Sequence, residues 1–155
     1  MNEPRWLDEE EMAAWLPLIR FVQELPQAID RRLREEAGLT HTYYAMLANL
    51  AAAPDRMLTM GELARLTATS PSRLTHAIAV LEQRGWVTKA HCPNDRRSQF
   101  AVLTDEGQAL LERIAPGHVA QVRDLVFDRL TPEQVRSLAD IAAALVAPGS
   151  PLGDA

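Results

Sequence analysis

The chain is 155 residues long, carries a formal net charge of −5 and contains one cysteine. That is the length of one ordinary domain, and an apolar share of 47% with 24% charged residues excludes disorder over most of it. A single cysteine excludes an intrachain disulfide and a cysteine-only zinc site, and a net negative charge taken at face value argues against nucleic acid as a partner.

The chain begins Met1-Asn2-Glu3-Pro4-Arg5 and runs into Asp8-Glu9-Glu10-Glu11, the wrong charge sign for a secretory leader, so the expected compartment is the cytoplasm. Leu18, Val22, Leu25 and Ile29 then recur at helical spacing. Pro17 and Pro26 interrupt that pattern and predict a kinked helix or two pieces, with Gly38 as the stop. Residues 37–54 carry no charge, but Thr40, His41, Thr42 and Asn49 make a buried amphipathic helix the better reading than a membrane span. Tyr43, Met46, Leu47 and Leu50 supply its face, and Pro54-Asp55 ends it. Thr59-Met-Gly-Glu62 has the spacing of a capping box and opens a short helix carrying Leu63, Ala64 and Leu66. After the turn 67–70, Ser70-Pro71 reads as an N-cap followed by proline at the first helical position. The helix so opened places Leu74, Ala77, Ile78 and Leu81 on one face and stops at Gly85.

The period then changes. Residues 86–92 and 99–103 are short β-prone stretches separated by Pro93-Asn-Asp-Arg-Arg-Ser98, a hairpin with a basic tip. Thr104-Asp-Glu starts another helix, which Pro116-Gly117 should bend or break. Thr131-Pro132-Glu-Gln134 is a second capping box, before Val135, Leu138, Ala139, Ala142 and Leu145. Residues 148–155 read as a flexible tail.

Short helix, turn, capped helix and two-stranded hairpin is the order of a winged helix-turn-helix, in a mainly α chain. Dividing the charge supports a polyanion partner. Residues 1–55 hold five arginines against ten acids, and residues 104–155 four against eight. Residues 56–103 hold seven basic residues against three acids, net +4. With Leu74, Ala77, Ile78 and Leu81 turned inward, a rotation of roughly 100° per residue puts Ser72, His76, Ala79 and Gln83 outward, with Arg73 and Thr75 on the flanks. Ser70, Ser72, Arg73, Thr75 and His76 are short or donor-rich side chains suited to base edges in a major groove. In the wing, Arg97 suits a narrow minor groove and Asp95 can hold a guanidinium through a forked hydrogen-bond pair. Arg96 shares that tip, and Lys89 on the preceding strand suits a phosphate. The competing reading is a solvated polar helix face beside a charged loop.

At these residues the chain resembles the MarR family of bacterial transcription regulators. Asp95-Arg-Arg97-Ser-Gln-Phe-Ala-Val-Leu103-Thr104-Asp-Glu-Gly107 is similar to the family's wing signature, an Asp-x-Arg, a strand, then Leu-Thr-x-x-Gly. Leu63-Ala64 and the run from Leu74-Thr75-His76 to Leu81-Glu82-Gln-Arg-Gly85-Trp86-Val87 resemble its two helix-turn-helix helices, with His76 standing where the family commonly carries a basic residue. The resemblance implies a winged helix-turn-helix DNA-binding domain at 40–107. It also implies dimerisation helices at 1–39 and 108–147, with Leu16, Ile19, Val126, Leu138 and Leu145 buried mainly between two copies. The implied function is a homodimeric, sequence-specific regulator of double-stranded DNA, most often a repressor in this family. Each subunit would read half of a pseudo-palindrome, with recognition helices about 34–36 Å apart. A small aromatic or anionic ligand modulates many relatives, and Trp15, Phe21, His41, Tyr43 and Tyr44 are the candidates for its pocket, with plain core packing as the competing role.

Enzyme signatures are missing: no G-x-S-x-G, H-E-x-x-H, C-x-x-C or glycine-rich phosphate loop occurs. No cofactor and no metal site is expected, since His41, His76, His91 and His118 lack short metal-ligand spacing. Two alternatives stay open: a winged-helix protein-interaction module without DNA binding, and a thiol- or metal-dependent sensor of the same fold. The sensor would use Cys92 or the pair His41 and His118.

Overall fold

The computed structural model describes residues 4–92 and 95–148; within 91–98 only the backbone of the strands is described. Helix α1 (Glu9–Ala37) opens on a capping box, in which the Asp8 side chain accepts from the Glu11 N–H and Glu11 reaches back to the Asp8 N–H. It is one continuous helix with Pro17 and Pro26 inside it, rather than two pieces. Both prolines, and the residues four before them whose carbonyls they leave unpaired, are exposed, so water can take the lost hydrogen bonds. The same reason applies to Pro116, which lies within the unbroken helix α5 (Asp105–Leu125).

Gly38, left-handed at φ +63°, closes α1 with N–H bonds from Gly38 to Arg34 and from Leu39 to Leu33. Helix α2 (His41–Ala52) follows at once, capped by Thr40. The Asp30 carboxylate of α1 accepts from the His41 N–H at 2.6 Å, fixing the angle between the two helices. Strand β1 (Met57–Thr59) leads into α3 (Met60–Leu66), which starts with the Thr59–Glu62 capping box. Leu63 is buried, whereas Leu66 is exposed. After α4 (Pro71–Gln83), strands β2 (Val87–Cys92) and β3 (Asp95–Leu103) form the wing. Helix α6 (Pro132–Leu145) is the last element among the described residues and starts with the Thr131–Gln134 capping box; of the tail expected at 148–155, residues 149–155 lie outside the described residues.

The sheet has three strands, not two: β3 is central, with β1 and β2 antiparallel on either side. Met57 pairs with Val102 and Thr59 with Phe100, while Val87 pairs with Leu103 and Ala90 with Phe100. The wing also reaches further than the tip 93–98 expected from sequence, because β3 begins at Asp95. His91 pairs with Gln99 and Cys92 with Asp95, so Arg96, Arg97 and Ser98 are extra length on β3 at this irregularity.

The core lies where α2, α3, α4 and the sheet meet the second half of α1 and the first half of α5. Ile29 and Leu33 enter it from α1, Met46, Leu47 and Leu50 from α2, Leu74, Ile78 and Leu81 from α4, and Leu110 and Ile114 from α5. The first half of α1 and all of α6 contribute no buried residue. Leu16, Leu138 and Leu145 are exposed in the single chain, and Ile19 and Val126 half-buried. No helix among the described residues is long and apolar enough to cross a membrane.

Candidate nucleic-acid interface

Leu74, Ala77, Ile78 and Leu81 anchor α4 in the core, so the opposite face must be presented outward. Ser70, Ser72, Arg73, Thr75, His76, Ala79 and Gln83 are all exposed. Arg73 has no acidic partner among the described residues, which leaves a free guanidinium in the first turn of α4. Ser70 occupies the N-cap position, but its side chain makes no capping bond; its Oγ lies 3.4 Å from Ser72 Oγ. Both hydroxyls thus stay at the open end of the helix. Thr75 differs, since its Oγ1 donates to the Pro71 carbonyl at 2.9 Å within the helix.

Lys89 is engaged as well. Its Nζ sits 2.8 Å from Glu82 Oε2 and its side chain is 27% exposed, so it neutralises an acid on α4 while staying at the surface between β2 and that helix. Asp95, Arg96 and Arg97 fall at the start of β3, and their side chains lie outside the described residues.

Beside the N-terminal half of α4 is an open cavity of about 570 Å³. Asp30 of α1, Tyr43 of α2 and Thr69 of the turn line it, together with Ser72, Arg73 and His76. Sequence spacing does not signal the cavity, because Asp30, Tyr43 and Thr69 arrive from separate elements. The single chain does not gather the five aromatic pocket candidates. Tyr43 lines this cavity, Trp15 is exposed on α1, and Phe21 borders an apolar groove with Leu125, Leu138 and Ile141. His41 and Tyr44 instead pack on His118 of α5, at ring-centroid distances of 5.8 and 4.1 Å.

That ring cluster joins α2 to α5. His118 Nδ1 is buried without a hydrogen-bond partner. Burial, then the nearby His41 and Arg32, holds the imidazole below its ordinary pKa of 6.5, with Glu36 opposing. The folded protein therefore binds fewer protons at this site than the unfolded chain, and stability rises with pH across the imidazole range. Thermal scans of the wild type should give a Tm that falls as the pH drops below 6.5. The His118→Phe variant, which keeps a ring but has no proton to bind, should lose part of that fall. An identical pH profile in the variant would remove His118 as the cause. Among the described residues no group of three or more His, Cys, Asp or Glu side chains is placed to hold a metal ion.

The model of the MarR family matches residues 37–98, the span from the end of α1 through α4 into the wing. YkoM of Bacillus subtilis, an uncharacterized HTH-type transcriptional regulator, is 30% identical over 131 residues, covering 82% of each protein. The structure of Sco3205, a MarR family transcriptional regulator from Streptomyces coelicolor in complex with DNA, is 48% identical, covers 98% of both chains and superposes with a TM-score of 0.90. The chain belongs to the MarR family. AbsC, another MarR family transcriptional regulator from S. coelicolor, is 36% identical with a TM-score of 0.86, over 93% of this chain and 96% of its own. Sco3205 and AbsC are MarR family transcriptional regulators, and the winged helix-turn-helix is the fold they share with this chain. Both solved relatives match nearly the whole chain, so α1, α5 and α6 belong to the MarR architecture as much as the winged unit does.

Proposed function

We propose that this protein is a homodimeric regulator that binds a pseudo-palindromic site in double-stranded DNA, acts as a repressor, and is released by a small aromatic or anionic ligand. The observation that carries the DNA-binding part is the outward face of α4: exposed, free of acids from Ser70 to Leu81, and led by Arg73, which has no acidic partner among the described residues. A groove-reading helix needs short donors there and no carboxylate to repel phosphate. In this reading Ser70, Ser72, Arg73, Thr75 and His76 face the major groove, Asp95, Arg96 and Arg97 the adjoining minor groove, and Lys89 a phosphate once it leaves Glu82. That Sco3205 is crystallised with DNA supports the reading.

Residues 40–107 act as the DNA-binding unit and 1–39 with 108–147 as the dimer region. The dimer reading rests on the exposed apolar residues of α1 and α6, which a second copy would cover. The ligand reading rests on the 570 Å³ cavity, because it shares Ser72, Arg73 and His76 with the DNA-facing side of α4. A ligand acts only through different affinities for the DNA-competent and DNA-incompetent arrangements.

The deciding experiment is selection of bound duplexes from a random pool, which returns the site, its symmetry and its spacing together. Failure to bind any duplex at low salt overturns the reading and leaves the winged-helix interaction module. On the selected duplex, Arg97→Ala should weaken binding and lower the slope of log K against log salt by about one unit. Ser72→Ala or His76→Ala should shift base preference more than total affinity. Equal weakening on all duplexes would remove those two from base readout.

A further inference from the structure

Residues 38–40 connect α1 to α2, and Thr104 connects β3 to α5. One short segment, Arg84-Gly85-Trp86 at the end of α4, touches both connections. Arg84 caps α4, and Gly85, at φ +76°, turns the chain back through a conformation that glycine takes without strain. The turn lays the Arg84 guanidinium over the Trp86 ring, 5.1 Å from its centroid. There Arg84 Nη1 donates to the Gly38 carbonyl at 3.2 Å. Gly38 is the cap of α1, where the negative end of the helix dipole favours a cation. On the other side of the segment, the Gly85 carbonyl accepts from Thr104 Oγ1 at 2.7 Å, and the Trp86 carbonyl accepts from the Thr104 N–H at 3.1 Å.

We propose that Arg84 is a positioning residue that sets the half-site spacing this protein accepts on DNA. The proposal rests on the homodimeric DNA-binding reading above. Arg84 holds the end of α4 to the end of α1, and α1 belongs to the region through which two copies meet. The separation and tilt of the two α4 helices therefore depend on this clamp. Its acceptor is a main-chain carbonyl rather than a flexible carboxylate, so the bond reports the position of α1 directly. Arg84 is exposed, and water can hydrate the Gly38 carbonyl once the guanidinium is gone, so the fold survives its loss. What is lost is the definition of the angle. On B-DNA one base pair shifts a half-site by about 3.4 Å and turns it by roughly a tenth of a helical turn, which a rigid dimer rejects and a loosened one tolerates.

The test uses the full chain and duplexes carrying two copies of the half-site recovered by selection, separated by single-base-pair steps around one helical turn, with a single half-site duplex as control. Wild type should discriminate its best spacing from the neighbouring ones by about tenfold, the worth of one charge-assisted hydrogen bond. Arg84→Ala should flatten that profile to about threefold or less while leaving the single half-site affinity unchanged. Arg84→Met, which keeps the stem against Trp86, should flatten it equally and serves if the alanine variant folds poorly. Arg84→Lys retains a donor and should restore much of the preference. A dimeric Arg84→Ala protein with the wild-type profile overturns the proposal alone. Equal weakening on every duplex, the single half-site included, overturns it in favour of a direct DNA contact. A wild-type chain that sediments as a monomer with and without DNA overturns the dimer reading as well.

Discussion

Replacing Gly107 with alanine should destabilise the protein by about 2 kcal/mol and lower its Tm by about 5 °C. A Cβ built at Gly107 would lie 2.3 Å from the Trp86 carbonyl oxygen and 2.7 Å from Leu103 Cδ1. The first of these is main chain, so it cannot swing aside as the end of a side chain could. Nor is the surrounding backbone loose. Thr104 Oγ1 accepts from the Gly107 N–H at 3.0 Å and donates to the Gly85 carbonyl, while the Thr104 N–H bonds the same Trp86 oxygen that the methyl would strike. Relieving the clash means pulling α5 away from the α4–β2 turn and stretching these bonds together. Alanine gains about 1 kcal/mol of helix propensity over glycine, which offsets part of that cost without reversing it. Gly61 supplies the control, since a Cβ there meets nothing within 4 Å. Gly61→Ala should leave the Tm unchanged or raise it, in thermal scans at equal protein concentration. Equal behaviour of the two variants would show that the start of α5 is not held as closely as this contact requires.

The Leu103-Thr104-x-x-Gly107 spacing was visible in the sequence because its parts are neighbours in the chain, and the same holds for the caps at Thr59 and Thr131. The α4 face was legible for that reason too: four buried residues on one helix dictate which residues point outward. Strand β1 was not, because three residues carry no periodicity, and Met57-Leu58-Thr59 becomes a strand only by pairing with Val102, Ala101 and Phe100. Of the two outcomes the prolines allowed, the break is absent: α1 and α5 run through them. A lost helix bond breaks a helix when nothing replaces it, and whether water can replace it depends on exposure, which spacing does not encode. At the site, the polar residues of α4 were legible, but their neighbours were not. Lys89 finds Glu82 across the α4–β2 turn, Arg84 finds Gly38, and His118 finds His41 and Tyr44, each through the packing of separate elements. Aromatic residues counted along the first two helices likewise did not predict that Phe21 and Tyr43 border different cavities.

In the homodimer proposed above, Ile141→Glu should leave only monomer at micromolar concentration and weaken binding to a two-half-site duplex by about a hundredfold or more. Helix α6 is 14 residues long and buries none of them in the single chain. An isolated helix of that length is marginal in water, so its stability must come from a surface that covers its apolar face. That face is defined: Leu138 and Ile141 border an open apolar groove with Phe21, Leu125, Val126 and Leu130, and Ile141 is 57% exposed. A second copy presenting the same residues would close the groove on both sides, as a two-fold interface requires. A carboxylate placed there loses water, and the one cation lining the groove, Arg129, is already bonded to Asp124, so the penalty is several kcal/mol, counted twice in a symmetric dimer, where each 1.4 kcal/mol is tenfold in dissociation. Loss of the dimer then removes the second half-site from the DNA complex, and the Tm should cease to rise with protein concentration. Arg136, on the opposite face of α6 and paired with Glu133 at 2.8 Å, gives the comparison: Arg136→Gln should leave both the dimer and DNA affinity intact. A glutamate variant that still sediments as a dimer at micromolar concentration would place the interface elsewhere and leave the exposed face of α6 for another partner.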